Sequence, residues 1–199
     1  MAAHEHNERA ASRQVLDWLR AGKSVALVTD AGTPGISDPG AVLVRAVREA
    51  GFRAVPIPGP SAVVAALSAA GIEGSAFAFH GFLPAKSEAR RQVLGDLVTR
   101  QAPLVFYEAP HRVAETLADL CEVLGAGRRV TLARELTKVF ESIHECALGE
   151  ALTWIGADAN RARGEFVLIV HGAAPTEDEM RGREGSRVLA LLMEEMSAS

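Results

Sequence analysis

The stretch that most restricts how this chain can fold is Thr29 to Gly40, TDAGTPGISDPG. An apolar run, Ser24 to Val28, precedes it and reads as a buried strand. Ala41 to Ala50 follows, with Val42, Val44, Ala46 and Val47 at helical spacing. A Gly- and Pro-rich loop between the carboxyl end of a strand and a helix is where open α/β sheets bind ligands. Gly32 and Gly35 let backbone approach a bound molecule without a Cβ in the way. Asp38 followed by Pro39 reads as the helix start, with a capping carboxylate and then a residue whose missing N–H costs nothing there.

A second turn, Pro56 to Ser61 (PIPGPS), repeats the arrangement: the apolar run Phe52 to Val55 precedes it and the small-residue helix Ala62 to Ala70 follows. Two such turns after two adjacent strands converge at one sheet edge, which predicts a shared small-molecule site. Further along, apolar runs of strand length alternate with helical spacing, the mark of an α/β fold. Strands are predicted over Phe77 to Phe82, Pro103 to Tyr107, Arg129 to Ala133, Ile143 to Leu148 and Glu165 to Val170. Helices are predicted over Gln14 to Arg20, Ser87 to Arg100, Pro110 to Gly125, a short stretch through Trp154, and Ser186 to Met196 after an acidic linker.

Composition narrows the function classes. With 199 residues, 48% of them apolar, the chain has material for one or two compact cores. No apolar stretch is long enough to cross a bilayer, and no basic-then-apolar leader is present, so a cytoplasmic protein without membrane contact is expected. Cys121 and Cys146 are too few for a disulfide framework. His4-Glu5-His6 lacks a third ligand nearby, so no metal site is expected. A net charge of -4 means that any RNA contact must come from local basic patches.

In order, DAGTPGISDPG, REAGFRAVPIPGPSA, GFLPAKSEARR, FYEAPHR, ARELTKVFE and GEFVLIV resemble the ribosomal RNA small subunit methyltransferase I family, within the tetrapyrrole-methylase-like superfamily of S-adenosylmethionine enzymes. The resemblance runs from about His4 to Gly172. It implies 2′-O-methylation of a cytidine in 16S ribosomal RNA, with S-adenosyl-L-methionine as cofactor and the small (30S) subunit and its RNA as partner. The family's opening strand with a PTPIGN-type loop is not matched, and MAAHEHNERA aligns with its H-x-H-N-E region. The resemblance therefore implies an α/β, tetrapyrrole-methylase-like two-domain fold truncated at both ends, its first domain incomplete. The expected division is 1–73 for the remnant of the cofactor-side domain, 74–173 for a second α/β domain and 174–199 for the linker and the start of a helical segment. An incomplete sheet exposes an edge, a setting for a homodimer or for aggregation.

By the same resemblance, Ala31, Gly32, Thr33 and Ile36 of the first loop, Ser61 and Ala62 of the second, and Tyr107 and Leu136 are expected to line the cofactor, with packing and a hydrogen-bonded hydroxyl as the competing reading for Tyr107. A 2′-hydroxyl is a weak acid, so a base or a charge that steadies the alkoxide would help. Glu135 and Lys138 are the candidates carried forward, with Glu108 also considered; a surface ion pair is the competing reading. Lys86, Arg90, Arg91, His111, Arg112 and Arg134 are the expected RNA contacts, against the alternative that helices simply carry solvated arginines. Two other functions remain open at this stage: a methylase of a small tetrapyrrole-like substrate on the same fold, and a non-catalytic binding or dimerisation module.

Overall fold

The structure is a computed structural model that describes residues 1, 7–74, 76–175, 181, 187 and 193. The elements in chain order are α1 (Glu8–Arg20), α2 (Ala41–Glu49), α3 (Ala62–Ala69), β1 (Ala78–Phe82), α4 (Ser87–Gly95), β2 (Leu104–Glu108), α5 (Val113–Leu124), β3 (Arg129–Arg134), β4 (Ser142–Ala147), α6 (Leu148–Gly156) and β5 (Phe166–Val170). The α/β class is as the sequence implies.

The five strands form one sheet in the order β1-β2-β5-β3-β4. β1 and β2 are parallel, joined by the α4 crossover, and the remaining pairings are antiparallel. Because β5 runs against both β2 and β3, the carboxyl ends of β1, β2 and β3 reach the same edge. Alternation along β2 sorts the two faces. Leu104 and Phe106 join Leu94, Leu117, Leu120, Leu132, Leu148 and Leu168 in a core beneath α4, α5 and α6. Val105 turns the other way and packs with Ala133, Val167 and Ile169 against Val63, Ala66 and Ala70 at α3. Each fully buried Leu or Phe contributes about 1.5–3 kcal/mol by leaving water, so this slab carries most of the fold's stability.

Residues 7–60 are held more lightly. α1 and α2 pack through a small cluster of Val15, Leu43 and Val47, edged by Trp18, Leu27 and Phe52. The runs 24–28 and 52–55, expected as buried strands, pair with no strand among the described residues. Val28 is 80% exposed and Ile57, just beyond the second run, 78%. A strand needs a neighbour for its N–H and C=O groups, and an apolar run alone does not supply one.

Several helix boundaries also differ from expectation. α1 begins six residues before Gln14. α2 starts after Gly40, not at Asp38-Pro39: Gly40 has φ 139°, and its amide donates to the Glu8 carboxylate of α1. α4 stops at Gly95, short of the expected Arg100, and beyond it Arg128 donates to the carbonyls of Val98 (2.8 Å) and Arg100 (3.0 Å). Pro110 lies in a turn, and α5 opens at Val113. The acidic linker, most of the 186–196 helix and His4-Glu5-His6 lie outside the described residues. Among the described residues no helix is long and apolar enough to cross a membrane.

Candidate functional site

The sheet edge at the ends of β1, β2 and β3 opens into a cleft of about 790 Å³, within the range of small-molecule sites. The two Gly/Pro loops form one wall. They meet where the Thr33 hydroxyl donates to the Pro60 carbonyl at 2.9 Å. Gly32 and Gly35 have φ of 77° and 80°, so the first loop needs at both positions the left-handed conformation that glycine adopts without strain. The sheet supplies the opposite wall through Tyr107, Ala133, Leu136, Phe166 and Val167.

All eight residues expected around a cofactor, Ala31, Gly32, Thr33, Ile36, Ser61, Ala62, Tyr107 and Leu136, line this one cleft. Sequence reading did not single out Asp30, Asp38, Glu165 and Phe82 as lining residues, and each of them also faces it. The Tyr107 ring packs edge-on against Phe79 (centroids 4.9 Å apart) and against Phe82 (5.6 Å). Burial raises the Tyr107 phenol above its ordinary value, partly offset by a hydrogen bond to the Val63 backbone at the start of α3, and the nearby Asp38 charge pushes it further up.

The candidate bases sit in structural bonds. One Glu135 oxygen accepts from the Glu165 amide (2.9 Å) and from Lys138 Nζ (3.0 Å), and Lys138 also reaches Glu165 (2.8 Å). The Glu135 carboxylate fills the space where a Cβ at Gly164 would stand. The Glu165 amide, then Lys138, hold the Glu135 carboxyl below its ordinary value; Glu165, then Glu135, hold the Lys138 ammonium above its own. A general base works best with a pKa near the working pH, and both shifts lead away from it. Glu108 is buried with both oxygens used, accepting from the Ala109 amide (2.8 Å) and the Thr116 hydroxyl (2.6 Å).

The expected RNA contacts separate into two groups. The Lys86 and His111 side chains are exposed and form no hydrogen bond or ion pair among the described residues, and His111 follows Pro110 at the cleft lining. The other four face inward or are paired. Arg90, only 1% exposed, donates to Asp119 (2.6 Å) and to the carbonyls of Pro84 and Ala85 (3.3 Å each), so the expected shared surface with Lys86 does not form. Arg91 pairs with Asp119 and Glu122. Arg112 donates to the carbonyls of Leu83 (2.7 Å) and Pro84 (3.2 Å) beside Glu108. Arg134 is buried at the end of β3, donating to the Arg163 carbonyl at 3.3 Å. Helical spacing placed Lys86 and Arg90 on one face, but the facing carboxylate of Asp119, 29 residues beyond Arg90, decided where the arginine went.

Comparison with known proteins bears on the family and on the fold. The family profile described as Tetrapyrrole (Corrin/Porphyrin) Methylases matches residues 2–152. Ribosomal RNA small subunit methyltransferase I of Vibrio cholerae is 49% identical over 195 residues, 98% of this chain and 68% of that protein. The Pseudomonas aeruginosa protein of the same name is 50% identical over 196 residues, 98% of this chain and 70% of its own. Among solved structures, the methyltransferase CobJ superposes with a TM-score of 0.61 at 24% identity, covering 83% of this chain and 72% of that one. Uroporphyrin-III C-methyltransferase from Thermus thermophilus, complexed with S-adenosylhomocysteine, gives 0.56 at 15%, covering 83% and 73%. At such identities the structures speak for the fold alone.

Proposed function

This chain belongs to the tetrapyrrole (corrin/porphyrin) methylase family and, within it, to ribosomal RNA small subunit methyltransferase I, and from that premise we propose that it transfers a methyl group from S-adenosyl-L-methionine to small-subunit ribosomal RNA. The observation that carries the reading is the single cleft joining the two Gly/Pro loops to the carboxyl ends of β1, β2 and β3.

The residues present fit the cofactor. The small side chains of Ala31, Gly32, Ala62 and Ala133 leave room for a flat adenosine, and the cleft volume suits a ligand of that size. Asp30 and Asp38 line a space that would hold a cationic sulfonium and an ammonium group, the Glu165 carboxylate being paired with Lys138. When bound, the cofactor supplies an already activated methyl group. The protein's task is then to align the acceptor oxygen and exclude water. Ser61, Ala62 and Leu136 would bound the cofactor side; Tyr107, its phenol held neutral by burial, would position by contact and hydrogen bonding without taking the proton.

Lys86 and His111 are the two expected RNA contacts whose side chains are exposed and unpaired among the described residues, His111 next to Pro110 of the cleft lining. Within this reading we assign the target as the 2′-hydroxyl of a cytidine in 16S RNA of the 30S subunit, the compartment as the cytoplasm and the assembly as a homodimer. The test is transfer of labelled methyl groups to unmethylated small subunits, followed by mapping of the modified nucleotide. A single 2′-O-methylcytidine supports the reading. A folded chain that binds the cofactor and labels no ribosomal RNA would overturn it.

A further inference from the structure

One residue of the cleft is set there by a local irregularity. Along β1 the register against β2 slips between Phe79 and Gly81, and Gly81 has φ 65°. Residues 79 and 82 of a regular strand point to opposite faces. The slip leaves His80 as the extra residue, so Phe79 lies opposite Val105 and Phe82 opposite Tyr107, both on the face of α3. Bulges next to active sites re-aim side chains in this way. A Cβ at Gly81 would come 3.0 Å from the Ser37 hydroxyl of the first Gly/Pro loop, so glycine serves both the bend and the approach of that loop.

Phe82 emerges at the cleft rim, 54% exposed, with the Tyr107 ring packed edge-on behind it. Leaving a phenyl ring half in water forgoes burial energy, and here the backbone next to it is unusually well fixed. Arg112 holds the carbonyls of Leu83 and Pro84, Arg90 those of Pro84 and Ala85, and buried carboxylates at Glu108 and Asp119 back the two arginines. Such support is what a recognition element needs to hold one geometry. The exposed Lys86 follows within four residues and adds a positive charge near the rim.

We infer that Phe82 is the stacking platform for the base of the acceptor nucleotide, an inference that rests on the RNA reading above. Single-stranded RNA is recognised by splaying out bases and stacking them on aromatic rings. A base on Phe82 would bring its own ribose to the cleft mouth, with Lys86 placed for a flanking phosphate. The inner cleft, walled by Ala62, Ala133, Phe166 and Val167, is left to the cofactor.

The test is a series of Phe82→Ala, Phe82→Leu and Phe82→Trp in the whole chain. Each is measured by fluorescence anisotropy with a single-stranded oligoribonucleotide carrying a central cytidine, and by calorimetry with S-adenosylmethionine. Phe82→Ala and Phe82→Leu should weaken RNA binding about tenfold, Phe82→Trp should restore it, and cofactor affinity should stay constant. An oligonucleotide abasic at the central position should bind the wild type and Phe82→Ala equally. Equal RNA binding by wild type and Phe82→Ala, full binding by Phe82→Leu, or a matching loss of cofactor affinity would overturn the inference. If RNA binding depends on Phe82 while the wild type transfers no methyl group to small subunits, the methyltransfer reading fails and the platform stands.

Discussion

Ile169 sits within an apolar stretch and Ile57 just beyond one, and the first is fully buried while the second is 78% exposed. Ile169 lies in β5 between two antiparallel neighbours, with α3 over its face. Ile57 lies within the second Gly/Pro turn, which joins no sheet among the described residues and is anchored where the Thr33 hydroxyl donates to the Pro60 carbonyl. The same side chain is therefore a core member in one region and a solvated residue in the other. What differs is the neighbouring strand, because backbone pairing brings the opposing faces within packing distance. The cleft takes one wall from each region, so a firm slab faces two loops with few buried contacts.

The largest effect should come from emptying the slab. Phe106→Ala should lower unfolding free energy by about 3–5 kcal/mol, whereas Ile57→Ala should stay within about 0.5 kcal/mol. Urea denaturation of both variants measures the contrast directly, and equal losses would break it. Asp119→Ala comes next, at about 3 kcal/mol, because it leaves Arg90 buried without its carboxylate. That variant should also loosen the 83–85 loop, read as faster amide exchange there than in β3.

Gly164→Ala should cost about 1–2 kcal/mol, since φ is 87° and the new methyl would displace the Glu135 carboxylate. Its damage should stay near residues 135–138 and 164–165, within the slab's edge. Acid gives the smallest effect. Burial alone would raise the Asp119 carboxyl, but hydrogen bonds from Arg91, Arg90 and Ser87 together hold it below its ordinary value. The unfolded chain then binds more protons, so this stabilisation is complete above about pH 4 and is lost as pH falls through the depressed folded value. Wild-type thermal stability should drop more steeply than that of Asp119→Asn in this acid window.

Much of the slab was legible because its signals are local. The apolar runs at 104–107, 130–133 and 166–170 are short, flanked by turns, and became β2, β3 and β5 within two residues of expectation. The runs 24–28 and 52–55 carried the same local signal, but pairing is a property of two segments and cannot be read from one. The cleft lining was legible through the loops, where Gly and Pro mark backbone geometry. Phe82 was not legible in the sequence: regular alternation would set it on the face opposite Phe79, and only the slip at His80 and Gly81 brings the two to one side. The inward turn of Arg90 was not legible for a similar reason: helical spacing reports which residues share a face, not which carboxylate waits opposite.

The most direct test of one cleft built from a firm and a light wall is amide hydrogen exchange with and without S-adenosylmethionine. Exchange should be rapid across 24–40 and 52–61 in the free chain, with protection of 29–40 and 56–63 on binding. β2, β3 and β5 should be protected in both states and change little. Protection confined to the sheet, or no change in the two Gly/Pro loops despite measured binding, would contradict it.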